Sequence, residues 1–188
     1  MQLLKPELNS LIQKEALDLF YKNGYQATLM RDLAAAVGMS VGNTYRYYKS
    51  KHDLFTTLVQ PVHEKLVELL EATHDNPEAH FNELCLTTIM TRFTAICSKY
   101  HKESVIFLEY YLAQEDDPVI QNFRGLIYRT VKAHLPQITM PMFDLLYHFI
   151  ATGTVFVLRK SAPENIVSNL KLLYVFLFKD VKDRINAL

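Results

Sequence analysis

Residues 38–51, GMSVGNTYRYYKSK, gather Tyr45, Tyr47 and Tyr48 with Asn43, Arg46, Lys49 and Lys51, and from residue 41 onward they hold three cations and no carboxylate. These side chains are hydrogen-bonding groups with well-defined partners on nucleic acid. An arginine forks onto guanine O6 and N7, an asparagine pairs with adenine N6 and N7, and tyrosine hydroxyls and lysine ammonium groups reach phosphate oxygens. Helical spacing sorts them by face: Val41, Thr44 and Tyr48 recur three and four residues apart and are expected inward, leaving Gly42, Asn43, Arg46 and parts of Tyr45 and Tyr47 outward. Ser40 precedes the run as an N-cap, its hydroxyl within reach of the Gly42 or Asn43 amide. Gly42 costs about 1 kcal/mol relative to Ala inside a helix, and a missing side chain there lets the backbone approach a binding partner closely.

The elements that would hold this face are helices. Apolar residues recur at helical spacing nearly throughout, alternation at period two is hardly visible, and the chain reads as all-α. Leu11, Ile12, Ala16, Leu19 and Phe20 form the inner stripe of a first helix that Gly24 stops. Thr28 is expected to start a second helix, which carries Leu33, Ala34 and Val37 inward and ends at Gly38. The turn Gly38-Met39-Ser40 has the length that lets two short helices cross steeply, with Ala34 small at the crossing, which is a helix-turn-helix arrangement. Ser50-Lys51-His52-Asp53 has the form of a capping box and opens a fourth helix. Asn76-Pro77, Asp117-Pro118, Thr139-Met140-Pro141 and Ser161-Ala162-Pro163 mark further starts. The resulting expectation is helices near 51–74, 77–99, 102–114, 118–135, 140–160 and 164–185, with Pro61 kinking the first of these as a candidate hinge.

Residues 142–158 and 166–178 are apolar nearly all round, more than one buried face requires. A second copy of the chain would cover them in a twofold four-helix packing, with Leu146, Ile150, Gly153, Val157, Leu170, Leu173 and Leu177 expected at the interface. Asp144 and His148 interrupt the first stretch, and Ser168, Asn169 and Lys171 the second. Both stretches are read as short of the ~20 apolar residues of a membrane span, so no membrane partner is expected.

With 188 residues, 49% hydrophobic and only 5 Gly and 7 Pro, the chain can bury a core without staples, and a disordered or collagen-like class is excluded. The N-terminus lacks a signal-peptide pattern, and a cytoplasmic location is expected. Cys85 and Cys97 are too far apart for a CxxC unit and read as reduced thiols. The net charge is zero, with a slight positive excess in the first sixty residues, so any anion would be met by the local patch rather than by the whole molecule. No P-loop, dinucleotide turn, G-x-S-x-G or H-E-x-x-H is present, and Ser168-Asn169-Leu170-Lys171 matches S-x-x-K without its partner motifs. The expectation is no catalytic residue, no cofactor and no metal, since His74, Asp75, Glu78 and His80 fit no tight ligand spacing.

The run from residue 12 to 59, IQKEALDLFYKNGYQATLMRDLAAAVGMSVGNTYRYYKSKHDLFTTLV, resembles the N-terminal DNA-binding domain of the TetR family of transcriptional regulators over about a quarter of the chain. The resemblance rests on Ala16 and Phe20, Gly24-Tyr25, Thr28, Asp32-Leu33-Ala34, Gly38, Gly42, Tyr45, and Lys51 followed by Leu54. It implies that Thr28, Ser40, Tyr45, Tyr47 and Lys51 hold DNA phosphates and that Val41, Gly42, Asn43 and Arg46 approach the bases. Leu29, Thr44 and Tyr48 depart from the family's usual residues. The resemblance further implies a helix-turn-helix domain over 1–50 and a helical ligand-binding and dimerisation domain over 51–188. Such a protein would be a homodimeric repressor, bound to a double-stranded palindromic operator and released by a small-molecule effector. From the residues themselves, Met90, Phe93, Cys97, Phe107, Tyr110, Tyr111, Tyr128, Tyr147 and Phe156 are candidates to line an apolar or aromatic pocket, with Glu109 and His148 supplying polarity. A carboxylate among aromatic rings, as at Glu109, suits a cationic ligand. The competing reading is a helical sensor or protein-interaction module without sequence-specific DNA binding.

Overall fold

Pro6 occupies the first turn of α1 (Pro6–Asn23), where its missing N–H breaks no intrahelical bond. The helix stops at Gly24, whose φ of 80° few other residues would adopt and whose amide donates to the Phe20 carbonyl at 2.9 Å. The computed structural model describes residues 5–74 and 83–179, and among these it is helical and free of strands. The expected helix start at Asn76-Pro77, the residues Asp75, Glu78 and His80, and the expected continuation of the last helix to 185 lie outside the described residues.

The second helix, α2 (Met30–Ala36), begins two residues later than Thr28. Leu29 is extended at the cap position, and the Asp32 carboxylate accepts its amide at 3.0 Å, so the acidic side chain three residues on does the capping that Thr28 was expected to do. Gly38, at φ 65°, then turns the chain, and the Met39 amide closes the turn on the Ala34 carbonyl at 2.8 Å. Ser40 caps α3 (Val41–Tyr47) by accepting the Asn43 amide at 3.3 Å. At α4 (Lys51–His74), Ser50 Oγ accepts the Asp53 amide at 2.9 Å, while the Asp53 carboxylate accepts from Lys49 N at 2.8 Å rather than closing on Ser50 itself. α4 runs as one helix through Pro61, whose exposed position leaves the freed Thr57 carbonyl on the watered side.

The chain continues through α5 (Glu83–Lys99), α6 (His101–Ala113), α7 (Pro118–His134), α8 (Met140–Lys160), a 3-10 turn at Pro163–Asn165 and α9 (Ile166–Phe178). Asp117 caps α7 as its sequence suggests, its Oδ1 accepting the Val119 amide at 2.9 Å. The main core joins the first four helices to α6 and α7 through Ile12, Phe20, Leu33, Leu54, Phe55, Ile106, Phe107, Tyr111 and Phe123. Each such side chain contributes roughly 1.5–3 kcal/mol by leaving water, so the head formed by α1–α3 is held on α4 and α6 by packing, not by a linker. A second core, of Cys97, Val105, Leu158, Ile166, Leu170 and Tyr174, sits between α5, α6, α8 and α9. Burial there pushes the Cys97 thiol up to about 12, which makes it an inert packing residue.

α8, at 21 residues with a mean hydropathy of 1.4 over its most apolar window, is long and apolar enough to cross a membrane by length and composition, contrary to the sequence reading. Its polar groups are nevertheless tied into the bundle: Asp144 pairs with Arg124 of α7, Arg159 with Glu109 of α6, and Thr154 Oγ1 lies 2.9 Å from Tyr174 Oη of α9.

Candidate nucleic-acid interface

Thr44 is the pivot of α3. It is buried, and its hydroxyl, which burial would penalise if unpaired, donates to the Val41 carbonyl at 2.8 Å. Its methyl group can therefore pack where an apolar residue is usual. Tyr48, just past the helix, is also buried, and its hydroxyl accepts from Gln13 Nε2 and donates to Asn9 Oδ1, both at 2.8 Å. These two bonds fasten α3 to α1 along one side. Asn9 and Gln13 were not singled out in the sequence; their polar side chains at i and i+4 on the first helix were the only available signal.

With Thr44 and Tyr48 turned in, the opposite face of α3 is open. Gly42, Asn43, Tyr45 and Arg46 are exposed, and the Asn43 and Arg46 side chains make no hydrogen bond or ion pair among the described residues. A Cβ added at Gly42 would meet nothing within 4 Å, so the fold itself does not need a glycine there. Val41, expected inward by its spacing, is instead 39% exposed. It is the first residue of the helix, directly after the Ser40 cap. Tyr47 is half-buried, and its hydroxyl accepts the Lys5 amide at 3.3 Å, which places the start of the described chain beside α3.

Two of the expected phosphate contacts are differently employed. Thr28 is only 1% exposed, and its hydroxyl donates inward to the Gly24 carbonyl at 2.8 Å, so its side chain does not reach a phosphate. The residue bonds the C-terminal end of α1 because the Gly24 turn brings that carbonyl back over it. Lys51 donates to the Tyr25 carbonyl at 2.7 Å and lies 4.2 Å above the Tyr25 ring, and partial desolvation lowers its pKa. A second bond from the same ammonium group to the Gln26 carbonyl, at 3.4 Å, completes its hold on the α1–α2 turn.

Tyr25 also leads to the other half of the molecule. Its ring meets Phe55 and Tyr110 at 4.9 and 4.8 Å, and Tyr110 Oη donates to Asp117 Oδ2 at 3.0 Å and lies 3.3 Å from His52 Nδ1. A second joint lies further along α1: Arg159 holds the Glu109 carboxylate through Nε at 2.5 Å and Nη2 at 2.7 Å and stacks 4.5 Å over Tyr21, while Lys102 pairs with Asp18.

That pairing removes Glu109 from the expected pocket, since the bidentate arginine occupies its acceptors. The other pocket candidates are spread over several clusters. Phe107, Tyr110 and Tyr111 are buried in the main core, Cys97 is buried in the second core with Met90 and Phe93 against it, and Tyr128 packs on a third cluster around Phe143. His148 stands 3.6 Å from Glu115 near the surface, and Phe156 is 64% exposed. An open groove between α8 and α9 is lined by Phe156, Lys160, Asn169, Leu172 and Phe176. Of the expected interface residues, Leu170 is wholly buried within the chain, Val157 and Leu173 line this groove, Gly153 packs against Leu173, and Leu146, Ile150 and Leu177 are half-buried. The outward face is made by Leu145, Phe149, Phe156, Leu172, Val175 and Phe176. On helices apolar all round, periodicity does not say which stripe the protein's own core takes.

A steep pair of short helices over an aromatic core, with the second presenting exposed donors and braced by a first helix and a longer fourth, defines a helix-turn-helix head on a helical body. Residues 12–58 match the family model described as bacterial regulatory proteins, tetR family. The whole chain has the fold of three solved proteins: a transcriptional regulator (TerR/AcrR family) from Aquifex aeolicus VF5, 20% identical over 91% of this chain and 99% of that one with a TM-score of 0.56; a TetR-like transcriptional regulator from Rhodococcus sp. RHA1, 20% identical over 94% and 98% with a TM-score of 0.57; and a TetR-family transcriptional regulator from Bordetella parapertussis 12822, 14% identical over 91% and 95% with a TM-score of 0.60. No curated protein matches the chain. The N-terminal segment thus matches the TetR-family model, on a chain that shares the fold of these solved regulators.

Proposed function

We propose that the protein is a ligand-responsive transcriptional repressor. Two copies set their α3 helices in successive major grooves of a palindromic operator, about one helical turn apart. Val41, Gly42, Asn43 and Arg46 approach the bases, and Ser40, Tyr45, Tyr47 and Lys51 meet phosphates, with Thr28 left out. The head over 1–50 carries the DNA contact, the helices over 51–188 carry dimerisation and the effector response, and the protein works in the cytoplasm without catalytic groups. The observation that supports this reading most is the open face of α3, where the Asn43 and Arg46 side chains are exposed, and unpaired among the described residues, beside a glycine the fold does not require.

The test is selection of duplexes from a random pool by the purified chain, then titration of the enriched sequence against variants. An enriched palindrome is expected. Arg46→Ala removes one good base contact from each half-site, about 1–3 kcal/mol apiece, so it should lower affinity for the palindrome by at least about 30-fold and relax preference at one position per half-site. Lys51→Ala should instead reduce the slope of log affinity against log salt by about one unit. A folded dimer that enriches no sequence at low salt would overturn the proposal in favour of a helical sensor or interaction module.

A further inference from the structure

Val41 and Tyr45 lie one turn apart on α3 and are 39% and 48% exposed, although the same helix buries Thr44 entirely. The polar members of the face, Asn43 and Arg46, have obvious partners on base edges. A branched alkyl side chain beside a phenol ring does not, and neither hydrogen bonds nor phosphate attraction gives Val41 a role. The apolar group that a base pair offers in the major groove is the 5-methyl of thymine. We infer that Val41 and the ring of Tyr45 form an apolar edge that reads the 5-methyl group of one thymine in each half-site.

Gly42 belongs to the same arrangement. A Cβ there would meet nothing of the protein, so its absence opens space on the outer side, next to Val41, where the groove floor would lie. The Tyr45 hydroxyl makes no hydrogen bond among the described residues, and it stays available to a phosphate while its ring flanks the methyl group. The inference rests on the operator reading above and adds to it the chemistry of one base position.

The experiment uses the full chain and the duplex it enriches from a random pool. Each thymine of a half-site, with its symmetry mate, is replaced in turn by deoxyuridine, which deletes the methyl group and nothing else. At one thymine position the replacement should weaken binding by about four-fold per half-site, the factor equivalent to one methyl-sized group withdrawn from water, and by about sixteen-fold when both half-sites are changed. In Val41→Ala the difference between thymine and uracil at that position should fall below about two-fold. Because Val41 is exposed at the helix start, the variant should keep its fold, which circular dichroism checks. Insensitivity at every thymine, or a full thymine preference retained by Val41→Ala, would overturn the inference while the operator reading stands. A pool that yields no enriched sequence would overturn both.

Discussion

Gly42 separates what the fold requires from what the interface requires. Gly24 and Gly38 adopt φ of 80° and 65°, where an added Cβ is strained, but Gly42 is ordinary helix with open space around it. Gly42→Ala should therefore raise stability by roughly 0.5–1 kcal/mol, through the smaller backbone entropy lost on folding, and should lower operator affinity because the new methyl group stands between helix and groove. Urea unfolding beside a binding titration checks both signs, and equal or better binding by the variant would remove Gly42 from the interface. The residue types of this site were legible in the sequence because capping, donor chemistry and helical spacing are local properties. The inward bond of Thr28 and the Lys51 contact to Tyr25 were not, since both depend on how the turn after Gly24 folds back over α1. Val41 shows the limit of spacing alone: it shares an arc with Thr44 and Tyr48, yet the fold buries only those two and leaves Val41 39% exposed.

The starts of α4, α7 and α8 followed from prolines and caps, because an Asp117-Pro118 or a Ser50-x-x-Asp53 acts on the backbone next to it, whereas α9 stops at Phe178, short of the expected 185. Which helices are joined by charge did not follow, since Glu109 and Arg159 are fifty residues apart and only the packing of α6 on α8 brings them together. Read locally, Glu109 is a carboxylate among aromatic residues and looks like a ligand group; in the fold it is part of the joint that holds α1 against the body. Arg159→Met keeps the apolar stem but leaves the half-buried Glu109 without its partner, and should destabilise the fold by about 1–3 kcal/mol. Adding Glu109→Gln should restore part of that loss, because the stranded charge is then gone. Unfolding midpoints of the two single variants and the double measure the coupling, and strictly additive effects would mean that the pair does not contribute as a unit.

At the scale of the whole molecule, α8 and α9 leave an apolar surface exposed among the described residues, with Phe176 80% and Phe156 64% exposed beside Leu172 and Val175. Isolated exposed apolar residues are ordinary, but a group of this size around one groove marks a contact surface. In the proposed dimer this face meets its own copy across a twofold axis, so a charge placed on it faces a like charge as well as losing an apolar contact. Phe176→Glu should weaken dimerisation by at least about 2 kcal/mol, a change of roughly 30-fold. Because Phe176 leans on little of its own chain, the monomer should stay folded. Leu170→Glu should behave differently: that side chain is buried within one chain, and the buried charge should unfold the body before any question of assembly arises. Sedimentation and circular dichroism together distinguish the two results, since a folded monomer is expected from the first variant and an unfolded chain from the second. A Phe176→Glu protein that remained a dimer and still bound the enriched operator would place the subunit contact elsewhere, and the apolar face would then need another partner.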